Sequence, residues 1–234
     1  NVYELGGAEE CLQALHRLPA EFHLAFLGEV QKGLEARVDA LLKTYGLVER
    51  VKFLKPVQPD RLIGYISGAD VSIVPLRPEI ANHQHCLPNR IFESIAAGVP
   101  LVVPSGSEIG AFVQAHGVGV TFPDFEADSV AETLLRAVNG RRAGAFDEAI
   151  ETAQRDLVWE NEQTVLQEAL RPVLETGPRR CLVVACKRIE RNDRLFRITH
   201  TLRSMGFEVD VAAYSRPYQG LVLDGVNYLL IPRE

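Results

Sequence analysis

The sequence predicts a doubly wound α/β protein, in which a parallel sheet is covered by helices on both faces. Short apolar runs alternate with segments whose apolar residues recur at helical spacing, the pattern of repeated βαβ crossovers. The runs are apolar almost throughout, as in "VPLVVP" (Val99 to Pro104), which suits strands buried on both sides. Glycine or a capping residue marks the ends of most of the helical segments.

The first helix is read from Ala8, Cys11, Leu12 and Leu15, and "FHLAFLG" (Phe22 to Gly28) follows as a buried strand. In "GLEARVDALLKTYG" the residues Leu34, Val38, Leu41, Leu42 and Tyr45 share one face, and Gly46 ends the helix. "RVKFL" is a strand, and a short helix runs from Asp60 through Ile66. "ADVSIVPL" (Ala69 to Leu76) and "VPLVVP" are strands flanking a helix from Asn89 to Ala97 that stops at Gly98. Ser107 caps the next helix, which ends before Gly117 and leads into the strand "VGVTF". "DSVAETLLRAVNG" is expected to be capped by Asp128 and stopped by Gly140, and two further helices cover Phe146 to Leu157 and Trp159 to Leu174.

The Gly-Pro pair of "ETGPRR" then breaks the pattern, and a second unit begins. It holds the strand "CLVVAC", the loop "KRIERND", a helix carrying Leu195, Ile198, Leu202 and Met205 that ends at Gly206, the strand "FEVDVAA" and the run "LVLDGVNYLLI". The expected domains are therefore residues 1–174, with its first strand truncated, and residues 179–234, the opening of a second α/β domain. Asn1 is not a methionine and "LLIPRE" closes on no helix, so the chain reads as a piece of a longer polypeptide.

The 234 residues are 47% hydrophobic and 24% charged, ordinary for a globular protein. Net charge is −6 with the signs interspersed, and adjacent basic residues occur only as short pairs, Arg141-Arg142, Arg179-Arg180 and Lys187-Arg188. Nucleic acid is thus not an expected partner, because its binding needs a concentrated basic face. No apolar run reaches the roughly 18 residues that cross a bilayer, and "NVYELGGAEE" lacks the order of a signal peptide, so the expected location is the cytoplasm. Cys11, Cys86, Cys181 and Cys186 show no CxxC spacing and are expected as buried thiols, not as a zinc site or disulfide framework.

In an open α/β sheet, ligands bind beyond the carboxyl ends of the strands, which puts "RPEIANHQHCLPNR" in ligand territory. Asn82, His83, Gln84, His85 and Asn89 offer hydrogen-bonding groups there; a solvated connection would use the same residues to start a helix. Glu93 falls in or near the first turn of the following helix, where a carboxylate either stabilises the helix dipole or accepts hydrogen bonds from the vicinal hydroxyls of a ribose. The free N–H groups at that helix start can receive a phosphate or diphosphate, with Arg90 supplying positive charge and Pro88 setting the entry of the chain.

"CLPNRIFESIAAGVPLVV" resembles the donor-binding segment of retaining glycosyltransferases of the GT-B fold, in the large family-four group. "FHLAFLGE", "LVERVKFLKPVQPDRLIGYISGADVSIVPL", "SEIGAFVQAHGVGVTF" and "WENEQTVLQEAL" follow the order of that family's C-terminal, nucleotide-sugar-binding domain, so the resemblance covers residues 1–174. The stretch from Arg179 to Tyr214 resembles the start of an N-terminal, acceptor-binding domain. The resemblance implies a Rossmann-like half of a GT-B enzyme, with Glu93 on the donor ribose, Asn89 and Arg90 near the diphosphate, and Leu87 and Pro88 in the pocket wall. Asn82 matches a polar loop residue, and Phe53 to Lys55 match the stretch that meets the nucleobase, although Lys55 replaces a common glycine.

Two departures stand out. His85 occupies the position of a second glutamate found in many relatives, and is at most a substitute sugar contact. The basic pair that usually balances the diphosphate is missing from "NVYELGGAEECL", where Gly6 and Gly7 align with the loop that carries it. The implied reaction is transfer of a sugar from a nucleotide-activated donor to an acceptor hydroxyl, with retention at the anomeric carbon. The acceptor would be a glycan, a lipid-linked sugar or a small molecule. No Asp-x-Asp pair occurs, so metal independence is expected, with no cofactor and with the nucleotide-diphosphate sugar as substrate. No catalytic residue is assignable. The alternatives are a non-catalytic nucleotide-sugar-binding or assembly module, and a nucleotide-sugar epimerase, which would need an acid and a base in the cleft.

Overall fold

The computed structural model of the chain describes residues 7–176, 180–185, 193–213 and 225–230. The expected truncated first strand, the linker after Thr176, Cys186 and most of "KRIERND" lie outside the described residues. Two compact units divide between Leu157 and Val158.

In the first unit, α1 (Ala8–Arg17) leads to β1 (Leu24–Leu27), α2 (Glu35–Thr44), β2 (Val51–Leu54), α3 (Pro59–Ile66) and β3 (Ser72–Ile73). A short α4 (Ala81–Gln84) precedes α5 (Asn89–Ala96), β4 (Leu101–Pro104), α6 (Glu108–His116), β5 (Gly119–Phe122), α7 (Ala127–Arg142) and α8 (Asp147–Asp156). β1 and β2 pair in parallel, Leu24 opposite Val51, while β3, β4 and β5 form a parallel sheet in that order. Val102 points into a core shared with Leu12 and Leu15 of α1, Val38 and Leu42 of α2, and Val130 and Ala137 of α7. Its neighbours Leu101 and Val103 point the other way, into a core with Ile91 and Ile95 of α5, Ile109 and Val113 of α6, and Ile150 of α8. That alternation of consecutive side chains between two apolar layers is the doubly wound arrangement.

Three details differ from the sequence reading. "ADVSIVPL" supplies a strand of only two residues, because Pro75 has no N–H and the Leu76 N–H turns back to the Val74 carbonyl at 3.0 Å. Asp128 does not cap α7. The helix begins at Ala127, the Glu126 N–H donates to Asp124 Oδ1 at 3.0 Å, and Asp128 sits in the first turn, 3.1 Å from Arg17 Nε. Gly140 does not stop α7 either: the helix runs on to Arg142, and a Cβ at Gly140 would fall 2.8 Å from the Phe146 ring. The glycine is there to let that ring approach.

The second unit contains α9 (Trp159–Thr176), β6 (Arg180–Ala185), α10 (Asp193–Ser204), β7 (Glu208–Ala213) and β8 (Asn227–Leu230). The three strands are parallel in the order β6-β7-β8. Leu202, Phe207, Val209 and Val211 form its core, and Leu170 of α9 packs against them. This contact groups α9 with the second unit, whereas the sequence reading attached it to the first.

Ser107 caps α6 as expected, accepting the Gly110 N–H at 3.2 Å while its hydroxyl donates to the Pro104 carbonyl. Ser107→Ala is expected to lower the unfolding free energy by about 1 kcal/mol, measurable as a lower urea midpoint at unchanged slope. An unaltered midpoint would show that the cap contributes nothing.

Candidate functional site

All strands of the first unit run in parallel within their sheets, so the chain leaving β3 and the start of α5 stand at a carboxyl edge, where α/β sheets bind ligands. α5 is held there by its apolar face. Ile91 and Ile95 are buried, each worth roughly 1.5–3 kcal/mol of burial. Ser94 Oγ lies 2.8 Å from the Ser72 hydroxyl of β3 and 2.7 Å from the Arg90 carbonyl. Pro88 flanks the helix in extended conformation and supplies no side-chain cap. Pro88 therefore contributes no hydrogen bond to the first N–H groups of α5.

Glu93 is the fifth residue of α5, past the first turn, so it neither caps the helix nor sits where the dipole acts most strongly. It is half-buried, and no hydrogen bond or ion pair reaches its carboxylate among the described residues. Burial lifts its pKa above the ordinary 4.5, an effect that the positive charge of Arg90, one turn back, opposes. Arg90 is likewise half-buried, and its guanidinium makes no hydrogen bond among the described residues. Two opposite charges on one side of a helix, partly desolvated and each short of partners, are a place prepared for a polar ligand.

The start of α1 borders this place. Gly7 flanks the helix at φ 72°, and a Cβ there would collide with the carbonyl and ring of Pro75, so only glycine lets α1 dock on the chain leaving β3. Arg77 donates to Glu10 in the first turn of α1, and its guanidinium lies 4.7 Å from the centre of the Phe125 ring. Buried Cys11, next in the chain, has its thiol pushed up to about 12, mainly by burial and further by Glu10, with Arg90 opposing. The charges of α1 and α5 thus meet at Cys11.

Arg90 and Glu93 lie one turn apart on α5, with Leu87 and Pro88 partly buried just before them. Leu87 packs against the α5 and α6 side of the core. Asn89 is exposed at the helix start. Asn82 and His85 are exposed on and after α4, a helical turn in a segment expected as plain loop, and no hydrogen bond joins them to Glu93. His83 is the buried member of that group, and its Nδ1 has no partner among the described residues. Phe53 is partly exposed on β2 and stacks on Phe26 with the ring centres 5.2 Å apart. Of the cysteines described, all are free, but only Cys11 is buried; Cys86 and Cys181 are partly exposed, so burial holds for one of the three. The Glu10–Arg77 pair escaped the sequence reading because its members are 67 residues apart and neither belongs to a motif.

The raised pKa of Glu93 has a signed consequence. The folded state holds this proton more tightly than the unfolded chain does, so the group favours folding at acid pH and costs stability as pH rises through its raised value. Glu93→Gln is expected to be more stable than the parent at neutral pH, with the advantage vanishing below the ordinary value of 4.5. Urea midpoints across that range test this, and a constant difference at all pH values would contradict it.

The sequence pattern of the group 1 glycosyl transferases matches residues 3–139. No curated protein sequence matches. Among solved structures, sucrose-phosphate synthase from Thermosynechococcus elongatus superposes with a TM-score of 0.62 at 20% identity, over 75% of this chain and 44% of that one. Anabaena HepE, solved in complex with UDP, gives 0.58 at 18% identity over 72% and 46%. WaaG, a glycosyltransferase involved in lipopolysaccharide biosynthesis, gives 0.53 at 18% over 64% and 40%. The chain spans less than half the length of each of these three. They share its Rossmann-like GT-B architecture, and with more than half of its residues matched by one family, the chain belongs to the group 1 glycosyl transferases.

Proposed function

We propose that the first unit binds the donor of a glycosyl transfer, a sugar activated as a nucleotide diphosphate, and that the protein passes this sugar to an acceptor hydroxyl with retention at the anomeric carbon. The observation that carries the reading is the half-buried, unpartnered carboxylate of Glu93 beside Arg90 at the carboxyl edge of a parallel sheet. A buried carboxylate without hydrogen bonds is costly to the free protein, and two vicinal ribose hydroxyls are donors that satisfy it. Asn89, Arg90 and the N–H groups at the start of α5 take the diphosphate, and Leu87 and Pro88 border the pocket. Asn82 and His85 are assigned to the outer, sugar-facing loop. That HepE was solved with UDP supports a nucleoside diphosphate as the ligand of this fold.

In this scheme negative charge develops on the leaving diphosphate as the glycosidic bond breaks. Preorganised N–H groups and a guanidinium stabilise that charge where it appears, which is the economical form of electrostatic catalysis. They serve in place of a metal, in keeping with the lack of an Asp-x-Asp pair, and no cofactor is required. The parallel β6-β7-β8 unit is read as the opening of an acceptor-type domain, for a glycan, lipid-linked sugar or small molecule. The cytoplasm is the proposed location.

Calorimetric titration of the chain with UDP and GDP tests the reading. One of the two is expected to bind saturably, with Glu93→Ala weakening it by about 1.5–3 kcal/mol, the scale of lost hydrogen bonds to a charged group. Binding that is indifferent to Glu93 would remove the ribose assignment. Failure of both nucleotides to bind would favour a non-catalytic assembly module.

A further inference from the structure

Glu9 and Glu10 stand in the first turn of α1, beside the proposed diphosphate, where a negative charge opposes an anion. The sequence offers no basic residue in that turn. Each carboxylate is instead covered by an arginine from another element. Arg37 of α2 reaches Glu9 at 2.5 Å, and Arg77, from the chain after β3, binds Glu10. Glu10 is the more buried of the two, its side chain 16% exposed against 29% for Glu9, so water screens it less.

Arg77 is seated from two sides. One terminal nitrogen donates to Glu10 Oε1, and the flat guanidinium rests on Phe125. α1 cannot swing its carboxylate away, because Gly7 presses the helix start against Pro75. Glu10 and Arg90 both act on the Cys11 thiol, in opposite directions, so their fields overlap in one small region.

We propose that Arg77 is a positioning residue for the diphosphate. By neutralising Glu10 it frees the anion site of α5 and Arg90 from the repulsion of a neighbouring carboxylate. The inference rests on the nucleotide-diphosphate reading above. Its signature is dependence on the ligand's charge: a nucleoside, which has no phosphate, does not sense Glu10.

The test is titration of the full chain with UDP, GDP and the matching nucleosides, for the parent, Arg77→Gln, Arg77→Lys, Glu10→Gln and the Arg77→Gln/Glu10→Gln pair. Arg77→Gln is expected to weaken the diphosphate about tenfold and leave the nucleoside unchanged. The double variant, with no charge left to oppose the ligand, is expected to return to within about threefold of the parent, as is Arg77→Lys, which keeps the charge. Equal weakening of nucleoside and diphosphate, no recovery in the double variant, or a loss in Arg77→Lys as large as in Arg77→Gln would overturn the proposal and make Arg77 a structural brace. A parent that binds nucleotide alongside an Arg77→Gln that binds it equally well overturns this inference alone. A parent that binds neither nucleotide overturns the donor-binding reading and this inference with it.

Discussion

The first unit depends on the burial of β4 from both sides. All four of its residues are buried, Val102 in one apolar layer and Leu101 and Val103 in the other. A strand of this kind stays solvent-free only if helices cover each face, and helices can return to both faces only through crossovers that begin at the carboxyl edge. The core therefore decides where the chain must turn, and the turns decide where a ligand can be held. α5 follows β3 and α6 follows β4, so both begin at that edge, where Ser107 caps α6 and Pro88 offers α5 no side-chain cap.

Charges at that edge are arranged at some cost to the fold. The apolar face of α5 is satisfied by Ile91, Ile95 and the Ser94–Ser72 contact, and nothing in this packing calls for Glu93 or Arg90. Structural ion pairs elsewhere in the unit look different: Asp128 with Arg17, and Asp147 with Arg141, are matched and exposed to water. Surface pairs of that sort contribute little either way. Half-buried groups without partners are the contrasting case, in which stability is given up where a function needs an unsatisfied group.

The elements were legible wherever local chemistry governs. Apolar runs located β1, β2, β4 and β5, and Ser107 was read as a cap because a side-chain oxygen three residues before a helical N–H is enough to act as one. The reading failed where a distant group overrides the local rule. Gly140 looks like a helix stop until the Phe146 ring packs on it, and Asp128 looks like a cap until its carboxylate turns to Arg17. α9 looked like the close of the first domain, but Leu170 belongs to another core. At the site, the nearness of Arg90 to Glu93 follows from their spacing on one helix. The Glu10–Arg77 contact and the burial of His83 rather than His85 follow only from the path of the folded chain.

Cys11 joins the two cores' electrostatics to the behaviour of the whole unit. A thiol held near 12 is almost wholly protonated at neutral pH, and protonated thiols do not attack electrophiles. Cys86 and Cys181, partly exposed, stay available to such reagents, while Cys11 reacts only after α1 has left its seat. Alkylation at this one sulfur is thus a clock for the opening of the first unit. Any molecule that holds α1 in its seat slows that clock without touching the sulfur.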